Sequence, residues 1–323
     1  MKIDLHFTSV AGQEGRPDVT QLVKRLTMIG AALAALGGFA GGAFAAQPQE
    51  WQMGLQPSVT SVMSDIRWFN GFTLVIITVI TLFVLALLLW CIFRFNNKAN
   101  PTPSRTSHNT MIEVVWTLAP ILILVMISIP SFRLLYKQIE VPEYDMTVKA
   151  TGLQWAWSYA YTDEGMEDVI LDSYMLDNEG RAEKAAQFDR PAEEFPRLLA
   201  VDYEMVVPVN KVVRLQVTAA DVLHSFAMPA FGVKMDAVPG RLNETWFKAE
   251  QTGIYYGQCS ELCGRDHAFM PIAIRVVEDA QYQAWADAAK DDIDTANEQL
   301  MASINAAAKT ADADDGELDV AAR

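Results

Sequence analysis

The densest group of soft metal-binding side chains lies in one run, Cys259-Ser-Glu261-Leu-Cys263-Gly-Arg-Asp-His267-Ala-Phe-Met270, with His224 upstream of it. Cys263, His267 and Met270 alone offer a thiolate, an imidazole and a thioether at spacings of four and three on one loop. A second histidine from a neighbouring strand completes a trigonal copper site with a weak axial methionine, a donor set suited to electron transfer. Cys259 changes this reading. It stands four residues before Cys263, so both thiolates can face one centre and bridge two ions. His224 and His267 then cap one ion each, and Met270 and a loop carbonyl supply the weak outer donors. Sharing one electron between two bridged ions spreads the geometric change of oxidation over both.

Two other chemistries compete. In an oxidising compartment a Cys-x3-Cys pair can close a disulfide, but the ring is very small and leaves two histidines and Met270 unexplained. A Cys2His2 zinc site is also possible, although zinc has little use for a thioether. Ligand chemistry favours copper. The remaining cysteine, Cys91, falls in an apolar run and reads as a packing residue. His6 and His108 carry no assigned role.

The elements that position this loop must lie outside the lipid. Lys24 and Arg25 precede a small-residue apolar stretch that ends in Ala43-Phe44-Ala45. A positive start, a short apolar core and an A-x-A end read as a secretory signal over residues 1–45. Residues 71–93 hold no charge and are long enough to span a bilayer. A second span covers 114–135 and tolerates Pro120 and Pro130 as membrane helices do. The intervening loop, 94–113, carries Arg94, Lys98 and Arg105, which places it in the cytoplasm. The chain is then a hairpin with both ends outside: a short outer segment at 46–70, and a domain at 136–279 followed by a C-terminal helix and disordered acidic tail at 280–323.

The 323 residues carry a net charge of −15, and everything from 136 onward holds 16 Lys and Arg against 34 Asp and Glu, a balance of −18. Such acidity argues against nucleic-acid binding, which needs a basic face. The hydrophobic fraction, 51%, excludes a disordered chain. Alternating and β-branched runs predict strands: residues 206–218 as a hairpin turning at Asn210, then 252–258 and 271–277. Strands at short intervals predict an all-β sandwich or barrel. Residues 163–197 are acidic and read as an irregular insertion.

With these blocks assembled, the sequence resembles subunit II of the cytochrome c oxidases, haem–copper oxidase family, bacterial type. The resemblance covers nearly all of 50–286. It rests on the Cys259–Pro271 loop, on Asp221-Val-Leu-His224-Ser-Phe, on Asp236-Ala-Val-Pro-Gly-Arg241-Leu-Asn, and on Gln154-Trp-Ala-Trp-Ser-Tyr-Ala-Tyr161. It implies a two-helix membrane hairpin followed by a cupredoxin-like barrel that holds a binuclear copper A centre. Glu261 would give that centre its backbone carbonyl, and its carboxylate to a Mg or Mn ion shared with catalytic subunit I. Trp155 resembles the tryptophan through which the electron of cytochrome c enters; Trp157, two residues on and on the same strand face, is the candidate for the packed one of the pair. Asp163, Glu164, Glu167, Asp168 and Asp221 would form the cytochrome c docking patch, and Glu113 would sit at the mouth of a proton channel. Lys234, Asp236 and Arg241 would lie near the interface with subunit I, the only subunit of the pair to hold haem. Leu153 and Ala156 depart from the family pattern.

The implied role is electron transfer from cytochrome c through the copper pair to haem, for oxygen reduction coupled to proton pumping, at the bacterial inner membrane with the C-terminal domain in the periplasm. The alternatives are an exported copper-binding or copper-delivery module, a non-catalytic quinol-oxidase-type subunit that lacks these six ligand positions, and nitric or nitrous oxide chemistry.

Overall fold

The computed structural model describes residues 44–321, with side chains from 46 to 309. The signal segment, apart from the backbone of its last two residues, lies outside the described residues. A short strand, β1 (Phe44–Ala46), leads to helix α1 (Ser61–Arg94), and helix α2 (Thr110–Ile139) follows after a loop. Both helices start on side-chain caps: Thr60 accepts from the Met63 amide at 3.0 Å, and Asn109 from the Ile112 amide at 3.2 Å. Both outrun the apolar stretches at 71–93 and 114–135. At about 1.5 Å per residue α1 exceeds a ~30 Å hydrocarbon layer, so its first turns stand in the interface. The start of α1 and the last turn of α2 dock on the barrel. The Thr60 hydroxyl donates to Phe231 O at 2.7 Å, and Trp246 Nε1 donates to Lys137 O at 3.1 Å. Cys91 is exposed on the surface of α1 in this chain by itself.

Ten further strands build the barrel: β2 (Met146–Leu153), β3 (Ala156–Tyr161), β4 (Ile170–Ser173), β5 (Met205–Pro208), β6 (Val212–Ala219), β7 (His224–Met228), β8 (Val233–Ala237), β9 (Asn243–Lys248), β10 (Gly253–Cys259) and β11 (Pro271–Val277). They form two sheets, β5-β11-β10-β7-β8 and β4-β3-β2-β6-β9, with β1 added parallel to β10. Inward residues of both sheets share one core around Trp157, Tyr159, Phe226, Phe231 and Tyr255. The alternation along β6, with every second residue buried, is the mark of a sheet with one solvated face.

The expected hairpin at 206–218 does not form. β5 pairs with β11 in one sheet and β6 with β2 and β9 in the other. Asn210, at φ 60°, turns the chain between sheets, and Val209 and Asn210 donate to Val277 O and Ala249 O, one in each sheet's neighbourhood. The acidic segment at 163–197 is also more regular than expected. It contains β4 and helix α3 (Asn178–Gln187), whose N-cap Asp177 accepts from Gly180 N at 2.8 Å.

Beyond the barrel, two helices stand where a short one and a disordered tail are expected: α4 (Asp279–Ala289) and α5 (Ile293–Ala321). Their alanine content favours helix. α5 packs Met301 with Phe188 and Phe195, making a small second core over the insertion. Beneath it Arg275 pairs with Glu204 through two hydrogen bonds, one of 2.8 Å from Nη2, and the Lys184 ammonium donates to Asp202 O.

Candidate metal centre

The soft donors converge at one end of a single sheet. His224 is the first residue of β7, Cys259 the last of β10, and Met270 the residue before β11. Antiparallel pairing sets Cys259 opposite Phe226 and Gln258 opposite Pro271. Amide bonds close the junction, Cys259 N to Met270 O at 3.2 Å and Ser260 N to Ser225 O at 3.0 Å. The loop 260–270 is therefore held at both ends by the sheet that carries it.

Cys259 Sγ and Cys263 Sγ are 3.9 Å apart and free, far from the ~2.05 Å of a disulfide. His224 Nδ1 lies 3.9 Å from Cys259 Sγ, and His267 Nδ1 lies 3.5 Å from Cys263 Sγ. Met270 Sδ is 3.4 Å from Cys263 Sγ, and the carbonyl oxygen of Glu261 is 3.3 Å from Cys259 Sγ. His224, Cys259 and Cys263 place their donor atoms within 4.8 Å of one another, and all three are buried. Each imidazole thus faces its own sulfur. Two sulfurs, two imidazoles, a thioether and a carbonyl fit a copper pair by donor softness and by number.

Charge reinforces the fit. Burial opposes a thiolate at Cys259, yet the hydrogen bond with His224 and nearby amides hold its pKa down at about 6. Burial and then the neighbouring Cys259 charge push Cys263 up to about 12. Only one of the two sulfurs can ionise without a cation between them. Burial likewise works against charge on His224, but its contacts with Cys259 and Asp221 outweigh it and raise its pKa.

Asp221 accepts from His224 Nε2 at 2.9 Å, which turns Nδ1 toward Cys259. It also accepts from the amides of Gln154 at 2.7 Å and Val222 at 2.6 Å. Those bonds outweigh the cost of its partial burial and lower its pKa. Asp221 therefore joins the His224 ligand to the turn that carries Trp155. Gln154 Nε2 and Trp155 Nε1 donate to the same oxygen, Cys263 O, at 2.9 and 3.3 Å. Trp155 lies in the β2–β3 turn, partly buried, with Arg265 over its ring at 5.4 Å. Trp157 is the packed one of the pair, fully buried in the core, edge-on to His224 and Phe226.

Two glycines make room. A Cβ on Gly152 would stand 2.8 Å from the His224 ring, and Gly264, at φ +125°, passes under Trp155.

The other expected site residues are scattered. The Glu261 side chain is exposed and makes no hydrogen bond among the described residues. Glu164, Glu167 and Asp168 are exposed in the β3–β4 loop. That loop sits at the far end of β3 from Trp155, about 20 Å away by strand rise. Asp163 there binds the Thr147 amide at 3.0 Å, and burial raises its pKa. Glu113 reaches back to the Asn109 amide at 3.3 Å in the first turn of α2. Sequence reasoning gave no role to Gln154, Gly152 or Arg265 and missed Asp221 as the partner of His224. A carboxylate three residues before a ligand histidine was the available signal.

Residues 146–277 match the family model of the cytochrome c oxidase subunit II periplasmic domain, and residues 48–134 match that of its transmembrane domain. The chain is 47% identical over 283 residues to cytochrome c oxidase subunit 2 of Cereibacter sphaeroides, covering 82% of this chain and 92% of the relative. It is 46% identical over 260 residues to the probable cytochrome c oxidase subunit 2 of Rickettsia bellii, covering 80% and 90%. The crystal structure of the periplasmic domain of subunit II of cytochrome oxidase from Bradyrhizobium japonicum is 60% identical, covers 48% of this chain and 99% of that one, and superposes with a TM-score of 0.41. With two apolar helices, a two-sheet outer domain and the clustered sulfur and imidazole donors in place, the chain belongs to the cytochrome c oxidase subunit II family, as a membrane subunit with a periplasmic domain.

Proposed function

We propose that this subunit receives electrons one at a time from cytochrome c and passes them to haem in the catalytic subunit, where oxygen is reduced to water and protons are pumped. The supporting observation is the pairing of two unbonded sulfurs, each faced by its own imidazole. When bound, two copper ions supply the one-electron couple. His224, Cys259, Cys263, His267, Met270 and the Glu261 carbonyl would hold them. The protein's part is to hold these donors in place through the sheet ends and Asp221, so that little moves when charge arrives.

Trp155 is where the electron enters in this reading. Its indole N–H bonds the carbonyl of ligand residue Cys263, which gives a short bonded route inward. Basic cytochrome c would be drawn by the exposed Glu164, Glu167 and Asp168, while Asp163 and Asp221 are occupied with backbone amides. The Glu261 carboxylate, exposed and unshared, suits one ligand of a Mg or Mn ion completed by subunit I. Lys234 and Asp236, paired at 3.3 Å and largely exposed, and the exposed Arg241 suit the contact with that subunit. Glu113 would mark the proton-channel mouth on the cytoplasmic side. The export signal at 1–45 would be removed at Ala45, which would leave Ala46 as the only residue of β1 in the mature chain.

Metal analysis with electron paramagnetic resonance of the full chain tests the centre. Two coppers per chain with a mixed-valence binuclear signature are expected. A single copper with a mononuclear blue spectrum, or bound zinc, overturns the reading.

A further inference from the structure

The outer ends of the two membrane helices flank an open cleft of about 260 Å³. Asp65, Trp68 and Phe69 of α1 line one side, and Pro130, Arg133 and Lys137 of α2 the other. Arg133 and Lys137 are one helical turn apart and so lie on one stripe of α2. Lys137 Nζ is 2.6 Å from Asp65 Oδ2, whereas Arg133 makes no ion pair among the described residues. Two cations face one carboxylate, and one positive charge is left over.

This placement is unusual in two ways. Lysine and arginine favour the cytoplasmic flank of a span, yet these two stand on the opposite flank. The chain around them is strongly acidic, at −15 overall, so a local positive site is the exception. The cleft is also set at the depth where aromatic side chains gather at a membrane surface. Trp68 is exposed there and stacks on Phe72 with ring centroids 5.5 Å apart. Phe69 and Pro130 give the cleft an apolar wall, and the helices that run on from it are apolar.

We propose that this cleft holds the headgroup of one anionic phospholipid of the outer leaflet, its phosphodiester on Arg133 and Lys137 and its chains along α1 and α2. A phosphodiester carries the single negative charge the cleft lacks. A zwitterionic headgroup brings an ammonium as well, and the one carboxylate able to meet it is already paired with Lys137. A free phosphate ion would gain nothing from the apolar wall.

The test uses the intact oxidase, exchanged into detergent micelles containing phosphatidylglycerol and phosphatidylcholine in equal amounts, with retained lipid read by native mass spectrometry. The copper-site spectrum serves as the check on folding. Wild type is expected to retain phosphatidylglycerol over phosphatidylcholine. Arg133→Gln should lower that preference about fivefold, the effect of one cation at a membrane surface. Asp65→Asn should raise it, because it frees the charge of Lys137. The proposal is overturned if both lipids are retained equally or not at all, if Arg133→Gln has no effect, or if Asp65→Asn lowers retention as the loss of a helix clip would. Displacement of phosphatidylglycerol by inorganic phosphate at similar concentration would also overturn it, since that marks a free-anion site.

Discussion

Asp221 occupies a position between two functions. It fixes the ring of His224 and, through the Gln154 amide, the turn that carries Trp155. Asp221→Ala should lower copper affinity about 10- to 100-fold, as expected when the partner of a ligand histidine is removed. Competition titration with a chelator measures this. The same variant should slow electron transfer from cytochrome c by more than copper occupancy explains, because the Trp155 turn loses a support; stopped-flow traces on copper-saturated protein separate the two effects. Gly152→Ala makes a different kind of change. Its methyl would press on the His224 ring, and overpacking of this sort costs about 1–3 kcal/mol. A shifted copper spectrum together with a lowered thermal midpoint is the expected result; an unchanged spectrum would mean that β2 yields instead of the imidazole. The donor cluster itself is legible in the sequence because soft donors at short spacing on one loop have few other uses. Asp221, Gln154 and Gly152 were not, because their roles depend on which ring nitrogen faces the sulfur and on how closely two strands approach. Neither is encoded by residue type.

Between elements, the buried pair Glu204–Arg275 fastens β11 to the segment before β5, under the small core made by α3 and α5. Glu204→Gln would leave Arg275 charged and nearly enclosed, at a cost of about 3 kcal/mol. Burial alone would raise the pKa of Glu204, but Arg275 outweighs it and holds the carboxyl below its ordinary value of 4.5. A carboxyl depressed in the folded state stabilises above its unfolded pKa and loses that contribution as the pH falls through the folded value. Urea midpoints of the wild type should therefore drop as the pH falls below about 4.5, and the Glu204→Gln protein should show a flatter acid limb. The same region shows what periodicity can and cannot tell. Strands 205–208 and 212–219 were visible as strands, but alternation reports which face is buried and not which neighbour is paired. Alternation therefore makes the turn at Asn210 look like a hairpin, whereas it is a passage between sheets.

For the molecule as a whole, the net charge of −15 bears on how a donor would be met. The acidic outer domain should speed association with a basic donor at low salt, by about 10- to 1000-fold, with the gain falling as the Debye length shrinks. Turnover with cytochrome c measured across ionic strength should show this decline. Glu164, Glu167 and Asp168 changed together to amides should flatten the decline and leave the copper spectrum untouched. A salt dependence unaltered in the triple variant would place docking elsewhere, nearer the Trp155 turn. Composition made the sign of this field plain, and hydropathy made the two spans plain. That Asp163, Glu164, Glu167 and Asp168 lie at one end of β3 and Asp221 at the other is not legible in the sequence, since strand placement is fixed only once the sheet is assembled.

The bonds from Gln154 and Trp155 end on a peptide oxygen, that of Cys263. Every amino acid offers such an oxygen, so no exchange of side chain at position 263 removes the receiver. What removes it is a change in loop length, which would swing the oxygen out of reach. In this lineage, insertions and deletions between β10 and β11 should accordingly be rarer than substitutions at the same positions, even at those that touch no metal.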